Sequence, residues 1–314
     1  MADKTESIDH DQIFKTIIKE FFEEFMTLFL PDVGCEIDFK QVEFLEKEFF
    51  TDINRGRKKL LDLVAKVKLL NGSEEYILIH TEFESRKPDL QEFPKRMFKY
   101  FCQLFLRFGK PIIPIVVFSD DHKWRTPVPD SYQLEFKGKE YLKYCYHSIK
   151  LKHYDWRQFL DNNNPLAYAL MAKMDYSPKE RVRLKADFLR LALQAEINSA
   201  RKSILVDFIE SYVRLNSKEQ QLFEATVEAE NMQEVRKMMT VYEEKGIEKG
   251  IEKGIEKGKI ENAKQAVMEV LELKFSRLPY MVREKIKYCD DLDILKNLLR
   301  QAVLSNSLDE LKLP

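Results

Sequence analysis

Cysteine is scarce in this 314-residue chain: Cys35, Cys102, Cys145 and Cys289 stand far apart, with no CxxC and no Cys/His ligand spacing. That argues against a disulfide framework and a structural zinc site, and predicts reduced, mostly buried thiols. Long apolar runs are missing too. The longest covers residues 111–118, far short of the ~20 residues that span a bilayer. Residues 1–9 are polar and acidic, without the basic start and apolar stretch of a secretory signal, which points to a cytoplasmic home. Net charge is nearly absent. Lys+Arg number 52 and Asp+Glu 53, so no global positive field draws in nucleic acid or anionic lipid, and any polyanion site must be a local patch. Nor is there a GxSxG elbow, an HExxH helix, a Walker loop or a GxGxxG fingerprint, so serine hydrolysis and nucleotide binding recede.

What is present is apolar and patterned. At 44% hydrophobic and 12% aromatic, the chain can bury a substantial core, and its length suggests about two compact units at roughly 150 residues each. Residues 11–30 carry Ile13, Ile17, Phe21, Phe25 and Leu28 at helical spacing, followed by Pro31, which predicts one amphipathic helix. Residues 36–44 shorten to a strand period that is irregular in the middle. Met97, Phe101, Leu104, Phe105 and Phe108 form one helical stripe ended by Gly109, with Arg96, Lys99, Gln103 and Arg107 opposite. Residues 112–118 are nearly all apolar and β-branched, a strand covered on both faces. Residues 132–136 and 141–149 flank Lys137-Gly138-Lys139 as a further hairpin.

The stretch 60–84, LLDLVAKVKLLNGSEEYILIHTEFE, reads as two alternating strands around Asn71-Gly72. Odd positions (Leu63, Ala65, Val67, Leu69, Ile77, Ile79, Phe83) are apolar; even positions include Asp62, Lys66, Lys68, His80, Glu82 and Glu84. Opposed residues of an antiparallel pair share a face, so the apolar rows coincide only if odd pairs with odd. A three-residue loop pairing Leu70 with Glu74 meets that condition and sets Asp62 across from Glu82. Residues two apart on a strand project to the same side roughly 7 Å apart, and neighbouring strands lie about 4.8 Å apart, so Asp62, Glu82 and Glu84 can converge on one ion. Oxygen ligands of this kind suit Mg²⁺ or Mn²⁺. From spacing alone, a solvated sheet face of alternating charge remains the competing reading.

The segments FKTIIKEFFEEFMTLFLP, EFLEKEFFTD, LLDLVAKVKL, YILIHTEFES and RMFKYFCQLFLRFGKPIIPIVVFSDD, between Phe14 and Asp121, resemble the Rpn family of recombination-promoting nucleases within the PD-(D/E)XK superfamily. The resemblance implies an α/β restriction-endonuclease-like core, a mixed sheet flanked by helices, over residues 1–160. It also implies Mg²⁺-dependent hydrolysis of DNA phosphodiester bonds, linked to recombination. By the same resemblance Asp62 and Glu82 are the acidic metal ligands, and Glu84 takes the position where these nucleases place lysine and Rpn relatives usually show glutamine. A glutamate there could bind metal, orient water or mark lost activity. Lys66 is a relocated-lysine candidate, and His80 a substrate group. Glu20, Glu24 and Glu48 are further carboxylates in reach of the reading. Arg96, Lys99 and Arg107, with the run Arg55, Arg57, Lys58 and Lys59, offer local positive charge to DNA phosphates.

After residue 164 the strand signal disappears. Helical spacing dominates residues 165–244 and 259–314, separated by the repeat Lys-Gly-Ile-Glu, three times over residues 245–256. Each interior glycine costs a helix roughly 1 kcal/mol, so residues 245–258 read as a spacer or a partner-dependent coiled coil. Amphipathic C-terminal helices raise a homo-oligomer as a further reading. The alternative to the enzyme is a catalytically weakened DNA-binding or self-assembling protein that keeps the nuclease fold.

Overall fold

A computed structural model describes residues 10–45, 63–70, 76–275, 278–305, 307–311 and 313. The chain divides after Val235 into two compact units.

The first unit opens with α1 (His10–Glu20) and α2 (Phe22–Phe29), where the sequence pattern predicts one continuous helix. Phe14, Ile17, Ile18, Phe21, Phe22, Phe25 and Met26 are all buried, so the amphipathic reading holds and only the continuity fails. The break has a visible cause. Arg201 Nη2 donates to the Glu20 carbonyl at 3.1 Å and to Glu24 Oε1 at 2.7 Å, with the guanidinium 4.1 Å from the centre of the Phe21 ring. A side chain inserted into the backbone ladder is a recognised source of helix kinks.

A short α3 (Pro31–Gly34) leads into β1 (Ile37–Phe44), whose register shifts between Asp38 and Val42; this is the irregularity its sequence suggests. Next come β2 (Leu63–Leu69), β3 (Tyr76–Glu84), α4 (Glu92–Phe108) and β4 (Ile112–Phe118). The expected second hairpin is shorter than its sequence suggests. It comprises β5 (Ser131–Phe136) and β6 (Lys139–Cys145), after which β7 (His147–Lys150) leaves to join the main sheet. Buried Tyr146 is the pivot, its N–H held by the Asp130 carbonyl at 2.8 Å.

The main sheet runs β1-β2-β3-β4-β7, antiparallel through β3 and parallel from β3 to β7. This is the mixed sheet with flanking helices that the sequence implies. β4 is an interior strand, and its Ile115, Val116, Val117 and Phe118 are buried on both faces as expected. One face of the sheet packs on α1, where Phe83 meets Phe14 at 5.9 Å. The other packs on α4, where Phe118 meets Phe93 at 5.2 Å.

The remaining helices are α5 (Pro165–Leu170), α6 (Arg181–Gln194), α7 (Ser199–Tyr212) and α8 (Ser217–Ala229). Of these, α7 closes the α1 side through an edge-on contact between Phe208 and Phe14 at 5.1 Å. The second unit contains most of α9 (Gln233–Phe275) together with α10 (Tyr280–Lys287) and α11 (Leu292–Leu304), around a core of Val267, Leu271, Ile286, Leu295 and Leu298. The Lys-Gly-Ile-Glu repeat lies inside α9, and a Cβ added at Gly254 or Gly258 would meet nothing within 4 Å. Among the described residues no helix is long and apolar enough to cross a membrane. All four cysteines are free, but only Cys289 is buried; Cys35 and Cys145 are exposed, contrary to the burial expected of scarce thiols.

Candidate functional site

The β2–β3 ladder pairs Leu63 with Thr81, Ala65 with Ile79 and Val67 with Ile77, so odd meets odd, the register that parity requires. Asp62 lies outside the described residues, immediately ahead of Leu63. Glu48 and the run Arg55, Arg57, Lys58 and Lys59 lie outside them as well. His80 sits in β3 opposite Val64 and Pro114, and its side chain is not among those described.

The even-numbered face is not an open polar surface. α4 and the root of the β5–β6 ribbon cover it, building a second core from Val64, Phe93, Met97, Tyr100, Val116 and Tyr144. Glu82, beside Val116 in the ladder, therefore has only 5% of its surface exposed. Tyr144 and Tyr146, both buried, bring hydroxyls with no hydrogen-bond partner among the described residues. Burial, then the Tyr146 phenol, Cys102 and the Glu82 carboxylate, push the Tyr144 phenol well above its ordinary value. The acid and this hydroxyl are thus electrostatic neighbours.

Glu84, two residues on, faces α4. Arg96 Nη2 donates to Glu84 Oε1, while the Glu84 carbonyl accepts from Ser119 N at 2.9 Å and so is tied to the end of β4. The Arg96 guanidinium lies 4.8 Å from the Phe93 ring, and its buried Nε makes no hydrogen bond among the described residues. Arg96, Lys99, Tyr100 and Gln103 line a cleft of about 330 Å³, with the acidic Asp89 and Glu92 also in its lining. Part of the basic stripe read from the sequence therefore borders a real concavity.

Other candidates fall away from it. Arg107 is eleven positions beyond Arg96, roughly 16 Å along the helix, and lies against Phe108. Lys66 pairs with Glu43 Oε2 at 3.3 Å and stands four ladder steps, about 13 Å, from the level of Glu82. Glu20 and Glu24 belong to the α1 side of the sheet, where Arg201 holds both. Among the described residues no three His, Cys, Asp or Glu side chains gather to hold a metal ion.

A cluster that sequence reasoning passed over lies at the carboxyl ends of β4 and β7. Lys150 Nζ, its side chain 1% exposed, donates to Asp120 Oδ2 at 2.6 Å and to the Asp120 carbonyl at 2.8 Å. Trp124 Nε1 and the His122 N–H supply Asp120 Oδ1 at 3.1 and 3.2 Å. Asp121 Oδ1 takes Lys173 Nζ at 2.5 Å. Burial pulls Lys150 below the usual lysine value while Asp120 pushes back. The signal in the sequence was the polar cluster Ser119-Asp120-Asp121-His122 directly after an apolar strand.

Two histidines near this cluster make stability depend on pH. His10 Nδ1 lies 3.0 Å from the Tyr212 hydroxyl, and desolvation followed by Lys173 lowers its pKa from 6.5. His153 Nε2 accepts the Trp124 N–H at 3.1 Å, which requires that nitrogen to be unprotonated, and desolvation lowers its pKa too. Below pH 6.5 the unfolded chain binds protons that the folded one refuses, so stability falls as pH drops through the folded values. Thermal melts at pH 7.5 and pH 5.5 are expected to show the lower midpoint at pH 5.5, with a smaller difference in a His10→Gln/His153→Gln variant. An equal or higher midpoint at pH 5.5 in the wild type contradicts this.

In comparison with known proteins, a family model described as "Putative transposase, YhgA-like" matches residues 8–175, more than half the chain. No curated protein and no solved structure matches it.

Proposed function

Because the chain belongs to that YhgA-like family, which corresponds to the Rpn group of the PD-(D/E)XK superfamily, we propose that it is a divalent-metal-dependent DNA endonuclease acting in recombination. The observation that carries the reading is the β2–β3 register, with a buried Glu82 at one end of the ladder and Asp62 next in sequence. Asp62 and Glu82 are the residues that would hold Mg²⁺ or Mn²⁺. When bound, such an ion supplies Lewis acidity at a phosphoryl oxygen and lowers the pKa of water. Glu84 has a different task from its neighbour: its carboxylate fixes Arg96, so the cation that a lysine would provide comes from α4 instead. Arg96 presents its remaining N–H groups to a phosphate at the cleft, a planar fork suited to oxyanions. Lys99 and Gln103, one and two turns along, hold the adjoining backbone.

Divalent-ion titration of supercoiled-plasmid nicking by the full chain tests the reading, with EDTA as the blank. Arg96→Ala is expected to lower cleavage on the order of 10²-fold while Mn²⁺ binding is retained, since the guanidinium acts on the phosphate and not on the ion. DNA retained without cleavage in either ion would favour the non-catalytic DNA-binding protein instead.

A further inference from the structure

The ribbon β5–β6 forms its own two-stranded sheet. Its register sets Tyr132 opposite Tyr144 and Leu134 opposite Leu142, so these four share a face. At the root that face is covered by α4: Tyr132 stacks on Phe98 at 5.4 Å, and Tyr144 meets Phe98 at 5.5 Å and Phe101 at 5.1 Å. Toward the tip the cover ends. Leu134 is 46% exposed and Phe136 64%, and Tyr141, left unpaired where the register slips, is also 64% exposed.

The turn itself is built for projection. Lys137 and Gly138 both have positive φ, 51° and 71°, the tight primed turn whose twist matches a hairpin. Lys137 Nζ lies 5.6 Å from the centre of the Phe136 ring and Lys139 Nζ 5.3 Å from that of Tyr141. Phe136 pairs with Lys139, so a lysine shares its face, whereas Glu135 stands opposite Glu140 on the reverse. The ribbon is therefore two-sided, with aromatic rings and the tip lysines in front, and two carboxylates with Lys143 behind.

Exposed apolar area of this kind marks an interaction surface, and its chemistry selects the partner. The β6 edge of the ribbon carries Lys139 and Lys143, the charged kind of edge by which natural sheets resist self-association. Protein interface cores are depleted in lysine. A nucleic-acid strand satisfies both groups: phosphates take the ammonium groups, and bases stack on the rings. Stacking needs bases out of the duplex, which offers only their edges in the grooves.

We propose that the tip of β5–β6 is a contact for single-stranded DNA, with Phe136 and Tyr141 stacking on bases and Lys137 and Lys139 on the flanking phosphates. The choice of DNA rests on the endonuclease reading; the preference for an unpaired strand rests on the ribbon alone.

Fluorescence anisotropy with a labelled oligothymidine and with a hairpin duplex, using the full chain in EDTA, tests it. Phe136→Ala/Tyr141→Ala is expected to weaken oligothymidine binding at least about tenfold while changing duplex binding less than about twofold. Lys137→Gln/Lys139→Gln is expected to reduce the salt slope of log K by about 1.4, two phosphates at roughly 0.7 each. Glu135→Gln/Glu140→Gln, on the reverse face, is expected to leave binding equal or tighter. Wild-type affinity in the aromatic variant, or equal losses on both DNAs, overturns the proposal. So does a wild-type dimer that the aromatic variant converts to monomer, which assigns the tip to self-association. If the wild type binds neither DNA, the endonuclease reading falls as well; if it cleaves DNA and the tip variants bind as it does, only the ribbon assignment falls.

Discussion

Glu82→Ala is expected to lower metal-dependent DNA cleavage by about 10³-fold or more, with Mn²⁺ affinity falling in parallel. The size follows from where the carboxylate sits. Glu82 is 5% exposed beneath α4, so its charge acts through a medium far less polarisable than water. Glu82→Gln separates charge from shape: it keeps the packing against Val116 and is expected to lose nearly as much activity as the alanine variant. Asp62→Ala is expected to match Glu82→Ala, and the double variant to add little, because the proposal has both residues serve one ion. Plasmid nicking under saturating Mn²⁺, with circular dichroism as the folding control, reads all four. Cleavage by folded Glu82→Gln within threefold of wild type removes Glu82 from the chemistry.

The second large effect is on stability. Lys150→Met is expected to destabilise the first unit by about 3–5 kcal/mol, the range seen when one partner of a buried ion pair is removed. For a unit of this size that lowers the melting midpoint on the order of 10 °C. The cost arises on the partner. Asp120 would keep its bonds from Trp124 Nε1 and the His122 N–H but lose the Lys150 ammonium beside Oδ2. Asp120→Asn/Lys150→Met removes both charges together and is expected to recover a large part of the loss. A single variant that melts within 2 °C of wild type would show that the pair contributes little.

Much of the architecture was legible because it is local. The odd-even alternation of residues 63–83 around Asn71-Gly72 dictated the ladder parity, since pairing odd with even would turn lysines into the apolar face. The stripe Met97, Leu104 and Phe108 marked α4, and Gly109, with φ of 58°, ended it. What escaped was set at a distance. Apolar alternation continues through Leu142, Tyr144 and Tyr146, and nothing in that text signals that the chain changes partners from β5 to β4 there. The kink at Phe21 comes from Arg201, beyond the reach of any periodicity. At the candidate site, alternation put Glu82 and Glu84 on one face but could not say that a helix would lie over them. The Glu84–Arg96 pair needed the strand-to-helix crossing angle. Lys66 looked equally eligible on parity alone, and only the count of ladder steps moved it away.

The wedge between α1 and α2 also bears on how the protein is made. Arg201 and Glu24 are 177 residues apart, and Phe14 finds Phe208 at a similar remove. A ribosome adding roughly 5–20 residues per second leaves the opening helices waiting on the order of 10–35 s for the helix that covers them. Throughout that interval the side of α1 and α2 that α7 will close stays uncovered, even after β3 has brought Phe83 against Phe14, and it faces whatever waits at the exit tunnel. Chaperone capture of the nascent chain should therefore peak before residue 199 emerges, and a fragment stopped at residue 175 should remain a permanent client.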